Sequence, residues 1–238
     1  MVTRRRFASK GPAMIARELL GTAQVPGGEE LRLFAHGRDF MIVLGQNELM
    51  STRMRGSEEA LATMTLDRLD TPTPHLLIGG YGMGFTLRAA LAARPQVRIT
   101  VAELVLEIIE WARGPMAELT AGCLDDPRVT LQMGDVSAFI DDAADGTTEQ
   151  YDAILLDVDN GPDALVHEQN RRIYSFAGLR AAKAALAPRG VLAIWSAGRD
   201  PAFTRRLEKA GFAVDEVEVR ARPNNKGPRH TIWFARIG

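Results

Sequence analysis

Cysteine and net charge are both scarce in this chain. Its 238 residues include one cysteine, Cys123, and carry a formal net charge of −1. A single cysteine cannot form an internal disulfide and has no second thiol with which to bind a metal, so we expect a reducing, cytoplasmic compartment. A nearly neutral chain has no overall attraction for nucleic acid or anionic membranes. We therefore expect small molecules or other proteins as partners, and no nucleic acid.

Long apolar runs and histidines are scarce as well. No stretch is long enough to cross a bilayer, and no apolar signal-peptide core follows the basic start at residues 4–6. We expect no membrane association. The chain has 4 histidines, and since His75 and His230 have no carboxylate or thiol at ligand spacing, we predict no metal site.

The remaining composition is that of an ordinary globular protein. Hydrophobic residues make up 46% of the chain, which allows it to bury a sizeable core. We expect a lead-in, a β-hairpin and a helix over residues 1–72, followed by a nucleoside-binding catalytic domain over residues 73–238. Within the first region, residues 1–24 are expected to be a mobile lead-in.

Local patterns predict the hairpin and the helix of the first region. An alternating run at residues 31–34 and an apolar run at residues 40–44, separated by a turn, predict a β-hairpin. The following helix is predicted to begin with Ser57 as its N-cap and with the acids Glu58 and Glu59 in its first turn.

From residue 75 onward, predicted strands and helices alternate. Such alternation favours a doubly wound, Rossmann-like α/β fold with a mostly parallel seven-stranded sheet covered on both faces. A loose loop at residues 222–228 predicts that the last strand runs antiparallel. The predicted strands cover residues 76–79, 97–103, 129–133, 153–157, 191–196, 214–220 and 231–236, and the predicted helices cover residues 84–93, 111–119, 136–141, 172–186 and 201–209.

A glycine-rich turn at residues 79–84 follows the first strand and leads into a helix. In a doubly wound sheet, such a turn lies at the edge where ligands bind, and glycines let the backbone approach the ligand closely. Turns of this kind serve nicotinamide cofactors, flavins and sulfonium nucleosides, and some are tight turns without a ligand. The turn alone therefore leaves the ligand open.

Two acids at later strand ends favour a nucleoside. Glu103 lies some twenty residues after the glycines, where an acid can accept hydrogen bonds from both ribose hydroxyls, although it could also cap the next helix at the surface. Asp135 could accept a hydrogen bond from an exocyclic amine while Val136 lies against the adenine, or it could be the N-cap of a short helix.

Asp157 is the candidate catalytic residue. It lies at the tip of the fourth strand and faces the same crevice, where it could accept a proton, or it could cap the loop through Asn160. Asp157 and Asp159 are close enough for one carboxylate to raise the pKa of the other, or for both to hold a cationic substrate.

Four motifs together, IGGYGMG, VAEL from Val101, QMGDV and YDAILLDVDNGP, resemble the spermidine synthase family of aminopropyltransferases. That family is a divergent branch of the class I S-adenosylmethionine-dependent methyltransferase-like superfamily, and the resemblance covers roughly residues 30–237. It implies a transferase of polyamine biosynthesis that uses decarboxylated S-adenosylmethionine or S-adenosylmethionine as co-substrate, acts on a small-molecule amine and self-associates, for example as a homodimer. The implied site comprises Gly79, Gly80, Tyr81, Gly82 and Gly84 at the donor tail, Glu103 and Leu104 at its ribose, Asp135 and Val136 at its adenine, Asp157 as proton acceptor, and Asp159 and Asn160 at the acceptor substrate.

Departures from the family concentrate where the transferred group and its acceptor would bind. Tyr81 stands where the family has an aspartate that contacts the donor's amine, and Asn160 stands where the family has a polyamine-binding aspartate. The family's tyrosine–histidine–glutamate segment has no clear match. Arginines in segments that could border the cleft are either solvated charges or ligands for an anionic group; they are Arg53, Arg55, Arg220, Arg222 and Arg229.

The sequence keeps other functions open. A methyltransferase would use the same fold and the same donor contacts, and the backbone N–H groups at Gly80 and Gly82 would suit the carboxylate of intact S-adenosylmethionine. A catalytically idle nucleoside-binding protein is the third hypothesis, and a nicotinamide-dependent oxidoreductase the fourth. Trp195, near the same sheet edge, is either a core residue or a wall of the substrate pocket.

Overall fold

Two β-sheets form the framework of the protein. The computed structural model describes residues 16–158 and 170–237. It contains a four-stranded antiparallel sheet near the N-terminus and a seven-stranded sheet, mostly parallel, that follows it. This arrangement confirms the predicted α/β class.

The smaller sheet contains the predicted hairpin and two further strands. Strands β2 (Glu30–His36) and β3 (Asp39–Leu44) pair antiparallel, with Leu31 opposite Leu44, which confirms the hairpin. They are flanked by β1 (Glu18–Gln24) and β4 (Asn47–Ser51).

Strand β1 corrects the expectation of a mobile lead-in over residues 1–24. Residues 18–24 pair with β2, while residues 1–15 lie outside the described part of the chain. Gly21 lies so close to the indole of Trp111 that an added Cβ would be 2.5 Å from Nε1. Pairing and this close contact hold β1, although most of its side chains are exposed and show no alternation.

Helix α1 (Gly56–Leu66) follows the small sheet, and its start differs from the prediction. Arg55 occupies the N-cap position and makes no side-chain capping bond, so the prediction of Ser57 as N-cap was wrong. Ser57 lies inside the helix, where its Oγ is 2.8 Å from Nδ1 of His230. This hydrogen bond to a distant strand replaces the local capping bond.

The larger sheet has the strand order of a doubly wound fold with an inserted antiparallel strand. Its strands are β5 (His75–Gly79), β6 (Arg98–Glu103), β7 (Val129–Met133), β8 (Tyr151–Leu156), β9 (Leu186–Ser196), β10 (Phe212–Arg222) and β11 (Lys226–Ile237), in the order β10-β11-β9-β8-β5-β6-β7. Strand β11 pairs antiparallel with both β9 and β10, which confirms the predicted direction of the last strand. Strand β5 lies between β6 and β8, so the chain reverses its direction of winding there.

Helices α2 to α8 connect these strands, and some are shorter than predicted. They are α2 (Phe85–Ala93), α3 (Leu106–Arg113), α4 (Ala117–Thr120), α5 (Val136–Ala144), α6 (Asn170–Tyr174), α7 (Phe176–Ala185) and α8 (Pro201–Lys209), with a 3-10 helix at Cys123–Asp125. The predicted helix at 172–186 is divided at Ser175, whose side chain caps α7 by accepting from the N–H of Gly178. Within the described ranges, no helix is long and apolar enough to cross a membrane.

Apolar side chains cover both faces of the central strands. Leu76 and Ile78 of β5 belong to a core on one face, together with much of the small sheet and α1, while Leu77 belongs to a second core on the other face. All three are at most 1% exposed. Burial on both faces fixes the strands, so the residues that follow β5, β6 and β8 meet at one edge of the sheet.

Candidate active site

Two neighbouring cavities open at the carboxyl edge of the parallel strands. The first cavity lies between the small sheet and the strand ends. Six residues predicted to contact the donor line it together with Asp157: Gly80, Gly82, Glu103, Leu104, Asp135 and Val136. Its opposite wall is apolar and comes from residues of the small sheet: Leu31, Ile42, Leu44, Leu49 and Met50.

The glycine turn is tied to the end of β8. Gly80 has φ +86°, and a Cβ at this position would lie 2.7 Å from the carbonyl oxygen of Asp157. Gly82 has φ +56°, and a Cβ there would lie 2.6 Å from Cε of Met50. Glycine suits both positions because it tolerates a positive φ and has no Cβ that would collide with a neighbour. The turn can therefore lie directly against the backbone of Asp157 and the side chain of Met50.

Glu103 joins the turn to the end of β6. Its Oε2 accepts a hydrogen bond from the backbone N–H of Tyr81 at 2.8 Å, and its Oε1 accepts one from the N–H of Val105 at 2.9 Å. The side chain is buried, and burial raises the pKa of Glu103 even though these N–H groups act in the opposite direction. A carboxylate has about four lone-pair positions, so Glu103 retains acceptor capacity towards the cavity.

Asp135 is both a helix cap and a wall of the first cavity. Its Oδ1 accepts from the backbone N–H of Ser137 at 2.8 Å and from the Ser137 hydroxyl at 2.7 Å, which makes it the N-cap of α5. Its Oδ2 has no hydrogen-bond partner among the described residues and is available to a ligand. Val136 packs on Gly79, where an added Cβ would lie 2.8 Å from Cγ2 of Val136.

Tyr81, Gly79 and Gly84 lie behind the lining of the first cavity. Tyr81 is 4% exposed, and its hydroxyl is 3.4 Å from Sγ of Cys123 in the core. Gly84 lies against the same ring, since a Cβ there would be 2.7 Å from the Tyr81 hydroxyl. The side chain at position 81 is therefore buried in the core and does not line the first cavity.

Asp157 lines both cavities. Its backbone N–H donates to the carbonyl of Gly79 at 3.1 Å, which holds it next to the turn. The half-buried carboxyl group has no hydrogen-bond or ion-pair partner within residues 16–158 and 170–237, and burial raises the pKa of Asp157 to about 7. A carboxyl group of this kind can take up and release a proton near neutral pH. Its predicted neighbours Asp159 and Asn160 lie outside the described residues.

The second cavity adjoins Asp157 on the side of α1. Besides Asp157, it is lined by the acids Glu48 and Glu58 and by the apolar residues Leu49, Met50, Met54, Val158 and Trp195. Glu58 is only 8% exposed, whereas Glu48 is exposed at the rim. Burial, and then the charge of Asp157, raise the pKa of Glu58 well above its usual range.

Glu58 is the site residue that the sequence patterns missed. The pattern treated it like Glu59, as a solvated acid in the first turn of a helix. The helical period distinguishes the two, because Glu58 shares a face with Leu61 and Ala62, three and four residues later, and both are buried. Glu59 instead pairs with Arg55 at 2.9 Å near the surface.

Two aromatic residues close the second cavity. Trp195 packs against His230 in an edge-to-face arrangement with ring centroids 4.7 Å apart. Trp195 is both buried and part of the cavity wall, so the alternatives of core residue and pocket wall are both partly realised. Burial lowers the pKa of His230, which favours the neutral ring at pH 7. The charged groups known to line this cavity are therefore acids.

The five arginines that could have bordered the cleft line neither cavity. Arg53 pairs with Asp39 at 2.6 Å, and Arg55 pairs with Glu59. Arg220, Arg222 and Arg229 line a separate surface depression on the other side of the first turn of α1. Their positions give no support to an anionic group beside Asp157.

Comparisons with known proteins agree on one family. The family model described as the spermine/spermidine synthase domain matches residues 54–207. A polyamine aminopropyltransferase of Sulfolobus acidocaldarius is 31% identical over 134 residues, which is 56% of this chain and 42% of the relative. Putrescine N-methyltransferase 4 of Nicotiana tabacum is 35% identical over 99 residues, which is 42% of this chain and 24% of the relative. The chain thus spans less than half the length of these curated relatives.

A solved structure supports the same fold. Spermidine synthase from Thermotoga maritima superposes with a TM-score of 0.71 and 19% sequence identity, over 92% of this chain and 73% of that chain. At this level of identity, the similarity concerns the fold.

Proposed function

Because the chain belongs to the spermine/spermidine synthase family, we propose that it transfers an aminopropyl group from decarboxylated S-adenosylmethionine to an amine, with Asp157 as the general base. The observation that carries this proposal is the position of Asp157. Its carboxyl group, which has no partner among the described residues, lies where the two cavities meet, so that a donor in one cavity would be next to an acceptor in the other.

The first cavity has the groups that an adenosyl donor requires. Glu103 can accept hydrogen bonds from the ribose hydroxyls with the lone pairs that the backbone N–H groups of Tyr81 and Val105 leave free. Oδ2 of Asp135 can accept one from the adenine amine, while Val136 and the apolar wall of the small sheet pack against the ring. The cavity thus offers polar contacts at one wall and apolar contacts at the other.

The second cavity suits a small cationic amine. The charged residues known to line it are acids, and its other walls are mostly apolar. Arg220, Arg222 and Arg229 line a separate surface depression instead. The Sulfolobus acidocaldarius relative is named a polyamine aminopropyltransferase, which agrees with an amine acceptor and with a role in polyamine biosynthesis.

Proton removal is what Asp157 contributes to the reaction. An amine attacks only after it has lost its extra proton, and Asp157 with a pKa of about 7 can accept that proton. The amine nitrogen then forms a bond to the carbon next to the sulfonium, the carbon–sulfur bond breaks, and its electron pair goes to sulfur. The turn and the two cavities align donor and acceptor for this in-line displacement.

Methyl transfer from intact S-adenosylmethionine is the second candidate. Tyr81 is buried in the core, so the turn provides no acid for the donor's amine. This favours intact S-adenosylmethionine, whose tail carries a carboxylate in addition to the amine. The named activity of the Nicotiana tabacum relative, methylation of putrescine, is a precedent for this reaction in a similar chain.

A turnover experiment distinguishes the two reactions. The protein is incubated with putrescine and either decarboxylated or intact S-adenosylmethionine, and the mass of the product is measured by mass spectrometry. We expect an aminopropyl adduct from the decarboxylated donor, and a fall in kcat of about 10²–10⁴ in Asp157→Asn. Asp70→Asn, at an exposed ion pair with Arg189, serves as the control and should keep its activity. A methylated product would favour the second candidate, and absence of product from a donor that binds would overturn both.

A further inference from the structure

Glu58 is buried at the second cavity, and the described residues provide no partner that would stabilise its charge. It is 8% exposed, and its carboxyl group makes no hydrogen bond or ion pair with any residue in the described ranges. Taking a carboxylate out of water is strongly unfavourable even after the protein has relaxed. The site must therefore either keep Glu58 protonated or provide a cation when it is occupied.

A structural role in α1 does not account for this cost. An acid in the first turn of a helix stabilises the helix only weakly, by less than the cost of burying its charge. Glu59, the next residue, supplies the same charge near the surface and pairs with Arg55 at 2.9 Å. The helix thus has its N-terminal acid without Glu58.

Asp157 is a charged group that acts on Glu58 from another element. It follows β8, whereas Glu58 lies on α1, and both side chains line the second cavity. The other ionisable groups around this cavity are Glu48 on β4, exposed at the rim, and His230 on β11, whose Nδ1 is engaged by Ser57. No set of three metal-ligating side chains forms anywhere in the part of the chain that the structure describes. The two carboxyl groups line one cavity, where they can hold a cation between them.

We propose that Glu58 is a second acceptor-binding residue, which holds the reacting amino group of a cationic amine together with Asp157. This inference rests on the proposed aminopropyl transfer, and it names the residue that compensates for the acceptor-binding acid that is missing at Asn160. The acceptor class is a small aliphatic amine, and its apolar chain lies against Met50, Met54 and Trp195.

Two carboxylates satisfy the charge balance of the reaction at every step. The protonated amine enters with one positive charge, opposite the two ionised acids. Its proton moves to Asp157, the nitrogen bonds to the donor carbon, and the carbon–sulfur bond breaks with its electron pair going to sulfur. The product nitrogen now carries the positive charge, and Glu58 remains ionised beside it. Asp157 afterwards releases its proton to water. Glu58 therefore stabilises charge that develops in the transition state.

Steady-state kinetics and calorimetry on Glu58→Gln test this role. With decarboxylated S-adenosylmethionine and putrescine, we expect kcat/KM for the amine to fall by about 10²-fold, with a raised KM. The acid limb of the pH profile should shift to lower pH, because Asp157 loses a neighbouring negative charge. Glu58→Asp, which keeps the charge, should recover part of the activity. Glu59→Gln is the matched control and should stay within about twofold of the wild type, since an exposed ion pair contributes little.

Binding measurements separate this inference from the proposed reaction. Putrescine is titrated into the wild type and into Glu58→Gln, each saturated with methylthioadenosine, whose unchanged affinity shows that the variant is folded. Weaker putrescine binding in the variant supports the inference even if no turnover is seen, in which case only the proposed reaction fails. Equal putrescine affinity and equal kcat/KM in both proteins would overturn the inference while leaving the reaction intact. A loss of affinity for decarboxylated S-adenosylmethionine but not for methylthioadenosine would also overturn it, because Glu58 would then bind the donor.

Discussion

Asp157→Asn should make the folded protein more stable at alkaline pH. Burial raises the pKa of Asp157 from 3.8 to about 7, so the folded protein holds this proton more tightly than the unfolded chain does. As the pH rises from about 4 to about 7, the unfolded chain ionises first, and this residue makes folding less favourable. Asparagine does not ionise in this pH range, so the variant does not lose stability in this way. The stability of Asp157→Asn relative to the wild type should therefore be small near pH 4 and reach its full value above about pH 7.

The size of the effect follows from the two pKa values. Each tenfold difference in proton affinity corresponds to about 1.4 kcal/mol, so the shift sets an upper limit of roughly 4 kcal/mol. Solvent reaches this half-buried group through two cavities and screens its charge, which lowers the expected gain to about 1–2 kcal/mol. For a domain of this size, that gain corresponds to an increase in Tm of roughly 2–8 °C.

Thermal denaturation between about pH 5 and pH 8 measures this effect, with Asp126→Asn as the contrasting variant. Arg128 holds the pKa of Asp126 at about 2 through a hydrogen bond. That stability is present above the unfolded pKa of about 4 and is lost only as the pH falls through about 2, so Asp126→Asn should lower Tm by a constant amount across the range. A Tm of Asp157→Asn that equals the wild type at pH 8, or a difference that does not change with pH, would refute the reasoning.

Two further substitutions test the donor side of the site with matched controls. Gly80→Ala should destabilise the fold by about 1–2 kcal/mol, because φ at this position is +86°, and it should also reduce turnover, because the new Cβ would push on the Asp157 carbonyl. The control Gly146→Ala has a similar φ of +83° but open space around it. It should therefore show a similar loss of stability in chemical denaturation and no loss of turnover. Asp135→Ala removes the N-cap of α5, which should cost about 1 kcal/mol of stability, and it should also bind methylthioadenosine more weakly. The control Asp200→Ala removes a similar N-cap from α8 and should leave the affinity for methylthioadenosine unchanged in calorimetry. Equal affinities of the two variants for methylthioadenosine would contradict the contact assigned to Asp135.

The sequence was sufficient for the central strands of the large sheet because β5, β6 and β8 are short, largely apolar runs that end in, or lead directly into, a glycine or an acid. Strands β5 and β8 are buried on both faces, and this makes them readable as central strands. The small sheet was only partly predictable. Strand β1 is mostly exposed and shows no alternation, and β4 has only five residues, so tertiary pairing determines both.

The candidate site was predictable on its donor side and incomplete on its acceptor side. Glu103 and Asp135 follow strands at a fixed edge of the sheet, so local sequence was enough to place them there. Glu58 reaches the site only through the packing of α1 against the large sheet. Its helical spacing from Leu61 predicts a buried position, but no local pattern predicts that Asp157 lies beside it.

Calorimetric comparison of donors tests the proposed reaction most directly. The wild type is titrated with decarboxylated S-adenosylmethionine, intact S-adenosylmethionine and methylthioadenosine, and each titration is repeated with Glu103→Ala and with Glu110→Ala, an exposed position on α3, as its control. Aminopropyl transfer predicts that the decarboxylated donor binds more tightly than the intact one, and that Glu103→Ala alone weakens both. Tighter binding of the intact donor would contradict aminopropyl transfer in favour of methyl transfer, and no binding of any of the three would contradict the donor site itself.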